Sequence, residues 1–188
     1  MNVEIYQNII SKTAVYPSSV DKFGVAYTYL GLLGESQEAM DKLHDYFLTY
    51  VYPTSVSKED VLKELGDVYW YITAMCGELG INVANVISTT AKGIEPEEAM
   101  YDLENEFHTL PYLAESFKKF YRDGKVLEVG DITEILSRIC YMMAVLIISL
   151  NSTVSAVLQT NYDKLIARRE TNTLHGDGDN REEAKAQS

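Results

Sequence analysis

An all-α fold is what this sequence predicts, and three observations predict it. Apolar residues recur mostly at spacings of three and four, the period of one helix face. Only 4 prolines and 11 glycines interrupt the 188 residues, and short strand-like runs are absent. With 46% apolar residues the chain is long enough for one domain with a substantial core.

A first helix is expected over roughly Val3 to Thr13, broken at "YPSSVDKF", where Ser18, Ser19 and Asp21 are cap candidates beside Pro17. The second runs from about Val20 to Tyr50 and ends at Pro53. "TSVSKEDV" then supplies Ser57 or Ser55 as an N-cap ahead of first-turn acids, opening a third helix that closes at Gly80 in "ELGIN". A fourth is expected from near Val83 to Lys92-Gly93, and a new one starts at "EPEEAM" with Pro96 in its first turn. Helices over about 112–122, 130–150 and 152–170 follow. The sequence ends in "TNTLHGDGDNREEAKAQS", read as a glycine-bearing polar loop and a frayed tail over 171–188.

Charge narrows the partners. The formal net charge is −12, from 28 acidic and 16 basic residues, so the overall field repels nucleic acid and anionic membrane surfaces. A polyanionic ligand would need a metal or a local cluster of bases. Cys76 and Cys140 each lie inside an apolar segment, which fits buried free thiols in a reducing compartment. The N-terminus carries no signal-peptide pattern, and the longest apolar run, "ICYMMAVLIISL", is shorter than a bilayer span. The expectation is a soluble, cytoplasmic protein.

The chain also echoes itself. "LKELGDVYWYITAMC" lies over "VLEVGDITEILSRIC" at an offset of 64, pairing Glu64 with Glu128, Gly66 with Gly130, Asp67 with Asp131 and Cys76 with Cys140. Upstream, "LLGESQEAM" lies over "YLAESFKKF", which pairs Glu35 with Glu115 but sets Lys118 opposite Glu38. Residues 95–170 therefore read as a degenerate copy of 1–94. Chance likeness between amphipathic helices is the alternative.

Two carboxylate pairs carry the chemistry. Residues three apart share a helix face, so Glu35 and Glu38 project together on the second helix, as do Glu64 and Asp67 on the third. Val61, Leu65, Val68, Ile72 and Leu79 form the core-facing stripe of the third helix, and Glu64, Asp67 and Tyr71 form the row beside it. A lone E-x-x-E reads first as a solvated helix face. Two pairs bordering the core on neighbouring helices read otherwise, because four gathered carboxylates repel unless a cation neutralises them. Oxygen ligands in that number suit Mg²⁺ or Mn²⁺.

"LGLLGESQEAMDK" followed by "VLKELGDVYWYI" resembles the MazG-like branch of the all-α nucleoside triphosphate pyrophosphohydrolases, marked by E-x-x-E, a variable gap and E-x-x-D. Here 25 residues separate Glu38 from Glu64. "YQNIISKTAVYP" is similar to the family's first helix, and "NYDKLIARRETNTLHGDGDNRE" to its C-terminal segment of N-x-x-KL-x-x-R and TLHGxGDNR type. The resemblance covers about the first 90 and the last 30 residues. The chain departs from it in the middle, where about 60 residues separate the E-x-x-D helix from the basic C-terminal helix.

The resemblance implies a helical bundle of that type and hydrolysis of a nucleoside triphosphate to the monophosphate and pyrophosphate. It implies Mg²⁺, with Mn²⁺ able to substitute, held by Glu35, Glu38, Glu64 and Asp67, and a homo-oligomer, a dimer first. Glu38 is the expected proton acceptor for the attacking water. Lys164 and Arg168, four apart on one face of the last helix, would reach phosphate oxygens, although basic residues near a helix C-terminus also complement its dipole. Arg169 points elsewhere. His175, Asn180 and Arg181 would supply polar contacts from the glycine-bearing loop, and Trp70 and Tyr71 would contact base or sugar unless they serve the core. Within the fold, base-specific action on dUTP, dCTP or dGTP, or hydrolysis of phosphoribosyl-ATP, are alternatives. From another class, so is a non-catalytic helical assembly module.

Overall fold

The computed structural model describes residues 1–16, 23–47, 55–171 and 173. Among these, seven α-helices follow in order: α1 (Val3–Thr13), α2 (Phe23–Phe47), α3 (Lys58–Leu79), α4 (Pro96–Thr109), α5 (Leu113–Asp123), α6 (Val129–Ser149) and α7 (Val154–Glu170). No strand occurs among the described residues. The cap candidates Ser18, Ser19 and Asp21, and Pro53, lie outside them.

Local chemistry sets the helix ends. Asn2 opens α1 by accepting from the Glu4 and Ile5 amides. Ser57, not Ser55, opens α3 with a reciprocal box: the Asp60 amide donates to Ser57 Oγ at 3.1 Å, and the Ser57 amide to Asp60 Oδ2 at 2.9 Å. Gly80 closes α3 at φ 68°, a left-handed cap that glycine adopts without a Cβ clash. Pro96 stands at the start of α4, as expected.

The helix expected from Val83 to Lys92 does not form. A single 3₁₀ turn spans Val83–Asn85 and the chain then runs irregularly to α4. Ser88 Oγ donates to the Thr90 carbonyl at 2.6 Å, drawing the backbone away from helical pairing. Tyr141 of α6 holds Lys92 from both sides, donating to its carbonyl and accepting from its amide.

Packing of α2 on α3 dominates the first half. The two run antiparallel, because Gly24 lies against Glu78, Gly31 against Tyr71, and Glu35 beside Asp67. Val61, Leu65, Val68 and Ile72 are fully buried, as their spacing predicts, while Leu79 is only partly so. Helices α1 and α7 lie together on α3, running parallel: the Met1 ammonium donates to the Ser155 carbonyl at 2.9 Å, and Tyr6 OH to Asn161 Oδ1 at 2.6 Å.

In the second half α6 packs chiefly on α4, tied by Arg138 Nε to Glu106 at 2.7 Å. The chain passes through a 3₁₀ turn at Leu110–Tyr112, containing Pro111, into α5, whose Phe117 ring packs at a tilt against Tyr29 of α2 with centroids 4.6 Å apart. One hydrophobic core runs through both halves. Cys76 and Cys140 are buried free thiols, and burial pushes the Cys76 thiol up to about 12.

The apolar run belongs to a helix longer than itself. Helix α6 embeds the run "ICYMMAVLIISL" in 21 residues and is long and apolar enough to cross a bilayer by length and composition. Half of that window is buried, and α6 supplies Ile132, Leu136, Ile139, Met143 and Leu146 to the core.

Candidate functional site

Glu35 is brought to the site by α2, Glu64 and Asp67 by α3. Carboxylate oxygens of all three lie within 4.8 Å of one another, and no other such group of acids, cysteines and histidines occurs among the described residues. Glu64 is only 3% exposed, Glu35 and Asp67 half-buried. The capping box at Ser57 and the stripe Val61-Leu65-Val68 fix the rotation of α3, and that rotation aims Glu64 and Asp67 toward α2.

The electrostatics are those of a crowded anion site. Burial, then the charges of Asp67, Glu38 and Glu64, raise the Glu35 carboxyl from 4.5 to about 8, opposed in part by Lys164. A hard cation relieves such crowding. Oxygens around one Mg²⁺ at about 2.1 Å stand at most about 4.2 Å apart, so small side-chain adjustments suffice for the three acids to share an ion.

Glu38 stands apart. It is exposed, lies outside the group of three, and acts on Glu35 through its charge.

Helix α7 supplies the bases. Lys164 Nζ bonds both oxygens of Asp67, at 2.6 Å to Oδ1, with the two side chains 13% and 18% exposed. Asn161, one turn earlier, donates to Asp67 Oδ1 at 2.7 Å while accepting from the fully buried Tyr6 hydroxyl. Burial, helped by Asp67, raises that phenol well above its usual value and keeps it a donor. The sequence reading assigned Asn161 no role, although it heads the N-x-x-K spacing that sets an amide and an ammonium on one face. Arg168, four beyond Lys164, is buried, and Arg169 is exposed as expected.

Aromatic side chains continue from the acids along the hairpin. The Tyr71 ring lies across Gly31, where an added Cβ would fall 1.9 Å from Cε1. Its centroid is 4.7 Å from Trp70 and 6.2 Å from Tyr27, which stacks on Tyr16 at 4.6 Å. Burial is the first cause of the raised Tyr71 phenol, and Tyr27 adds to it by charge and hydrogen bond. Phe23, Ala26, Tyr27, Leu30, Gly31 and Tyr71 line an open groove of about 390 Å³, and Gly31 stands one helical turn before Glu35 on α2. His175, Asn180 and Arg181 lie outside the described residues.

The second half assembles no matching cluster among those residues. Glu115 is exposed and paired with Lys118 and, at 3.5 Å, Lys119. Glu128 and Asp131 are exposed at the start of α6. Glu115 on α5 and Glu128 and Asp131 on α6 gather into no such group among the described residues.

No protein-family model matches the chain, and no solved structure matches it. Over 90 residues it is 33% identical to the Gene 37 protein of Mycobacterium phage L5, covering 46% of this chain and 79% of that protein. Identity at that level across most of the phage protein's length places this chain in the family of the Gene 37 protein of Mycobacterium phage L5.

Proposed function

We propose that this chain is a divalent-metal-dependent pyrophosphohydrolase of (deoxy)nucleoside triphosphates, of the MazG-like type its motifs resemble. The observation that carries the reading is the convergence of Glu35, Glu64 and Asp67 from α2 and α3, faced by Lys164 of α7. Acids for hard cations and a base for phosphate meet at one point of a chain that is otherwise strongly anionic.

In this mechanism Glu35, Glu64 and Asp67 would hold Mg²⁺, which when bound would neutralise the phosphate tail and lower the pKa of a water. Lys164 and Arg168 orient the phosphate tail, placing the scissile anhydride in line with the attacking water. Glu38, outside the metal set and solvent-accessible, takes the water proton as the new P–O bond forms and the bridging oxygen departs with pyrophosphate. Trp70 and Tyr71 offer aromatic faces to base and sugar. Phe23, Tyr27 and Leu30, exposed on one stripe of α2, support a homodimer as the working form.

The test is incubation of the protein with Mg²⁺ and a panel of NTPs, dNTPs and phosphoribosyl-ATP. The expected products are monophosphate and pyrophosphate, with ¹⁸O from labelled water reporting which phosphorus is attacked. Turnover of one base alone would make the enzyme base-specific, and turnover of phosphoribosyl-ATP alone would move it to that substrate. No turnover of any nucleotide would replace this proposal with a non-catalytic helical module.

A further inference from the structure

We propose that Lys164 is a tethered cation that occupies the acidic site until a metal arrives and then, displaced from Asp67, becomes the phosphate contact. This rests on the metal reading given above and goes beyond it, because it makes metal loading and the presentation of the lysine one event.

The geometry points to exchange. Lys164 Nζ bonds both carboxylate oxygens of Asp67, so it sets a positive charge where a metal would approach that residue. Its field also reaches Glu35, where it opposes the three neighbouring acids. Two cations cannot share that carboxylate at hydrogen-bond distance without strong repulsion. The backbone under Lys164 is held in place, because Asn161 donates to the same carboxylate at 2.7 Å, anchored by Tyr6. Gly66 lets α7 sit this close to α3. What remains free to move is the four-carbon lysine stem, with its compact charge and adjustable donors. Asn161 stays as the amide donor to Asp67 while the ammonium leaves.

A displaced ammonium beside a metal needs an anion, and the oxygens of a triphosphate supply one. Metal and polyanion therefore bind with positive coupling, each strengthening the other by the same factor.

The experiment is a Mn²⁺ titration without nucleotide, followed by the EPR signal of free Mn²⁺, on wild type and Lys164→Met. Removing the competitor is expected to tighten Mn²⁺ binding about tenfold, the worth of one charge-assisted hydrogen bond. In the same variant, pyrophosphate should improve Mn²⁺ affinity less than it does in wild type. Equal or weaker Mn²⁺ binding by a folded Lys164→Met protein would overturn the exchange and leave the metal site standing. Absence of Mn²⁺ binding in both proteins would overturn the metal reading as well.

A second measurement decides the matter should the variant fail to fold. Acetylation of Lys164 in the wild-type protein, mapped by mass spectrometry, is expected to rise several-fold when saturating Mn²⁺ is added. Labelling that is unchanged or reduced would overturn the proposal.

Discussion

Gly66 of α3 lies directly under Asn161 of α7, where a methyl on its Cα would stand 3.3 Å from Asn161 Cβ. That contact brings the Asn161 amide to Asp67 and Lys164 to the same carboxylate. A branched side chain would wedge the helices apart. Gly66→Val is expected to lose about 1–3 kcal/mol through overpacking, read as a lower urea midpoint. Gly130→Ala, at the matching position of the echo, adds a methyl that meets nothing within 4 Å and should change the midpoint little.

The two glycines also mark where the sequence was readable and where it was not. Period and caps gave α1, the capping box of α3 and the rotation that aims Glu64 and Asp67 inward. All of these depend on residues within a few turns. The segment after Val83 misled because its apolar spacing is helical while Ser88 and Tyr141 bind its backbone otherwise. Asn161 was hidden for a related reason: its role depends on Tyr6 and Asp67, both more than ninety positions away. Spacing also set Glu38 beside Glu35 without showing that α3 turns its acids toward Glu35 alone.

Stability of the metal-free protein should fall as pH rises through neutrality. Glu35 holds its proton to about 8 in the fold against 4.5 ordinarily. Below 4.5 both states are protonated; between the two values the folded state keeps a proton that the unfolded chain has released, so each rise in pH favours unfolding. Thermal melts from pH 5 to 8 should show this decline. Glu35→Gln should flatten it, and so should saturating Mg²⁺, which takes over the neutralising role. A decline of the same slope in Glu35→Gln would assign it to another group.

Glu64 is the most buried acid of the group that gathers Glu35 and Asp67. Glu64→Gln keeps the volume and removes the charge. The variant is expected to lose the upward shift in melting temperature that Mg²⁺ gives wild type. Calorimetry with and without Mg²⁺ checks this. A retained Mg²⁺ shift would take Glu64 out of the ligand set.

Tyr6 acts on the site from beneath. Its hydroxyl is the donor that fixes which end of the Asn161 amide faces Asp67. Tyr6→Phe leaves a buried carbonyl oxygen without that donor, at a cost of about 1–3 kcal/mol. Urea unfolding measures that loss. Asn161→Asp in the same background should worsen it, since a carboxylate cannot donate to Asp67.

Placing a second acid beside Glu115 tests whether motif or geometry makes the site. Lys118→Glu builds E-x-x-E on α5 beside Glu115. The pair would still lie exposed on α5, with Glu128 and Asp131 exposed elsewhere. Acids without a facing set share no ion and stay solvated. Mn²⁺ stoichiometry is therefore expected to be unchanged in Lys118→Glu, while Glu35→Gln abolishes or sharply weakens binding. An added equivalent of tightly bound Mn²⁺ in Lys118→Glu would show that the second half still folds its acids together.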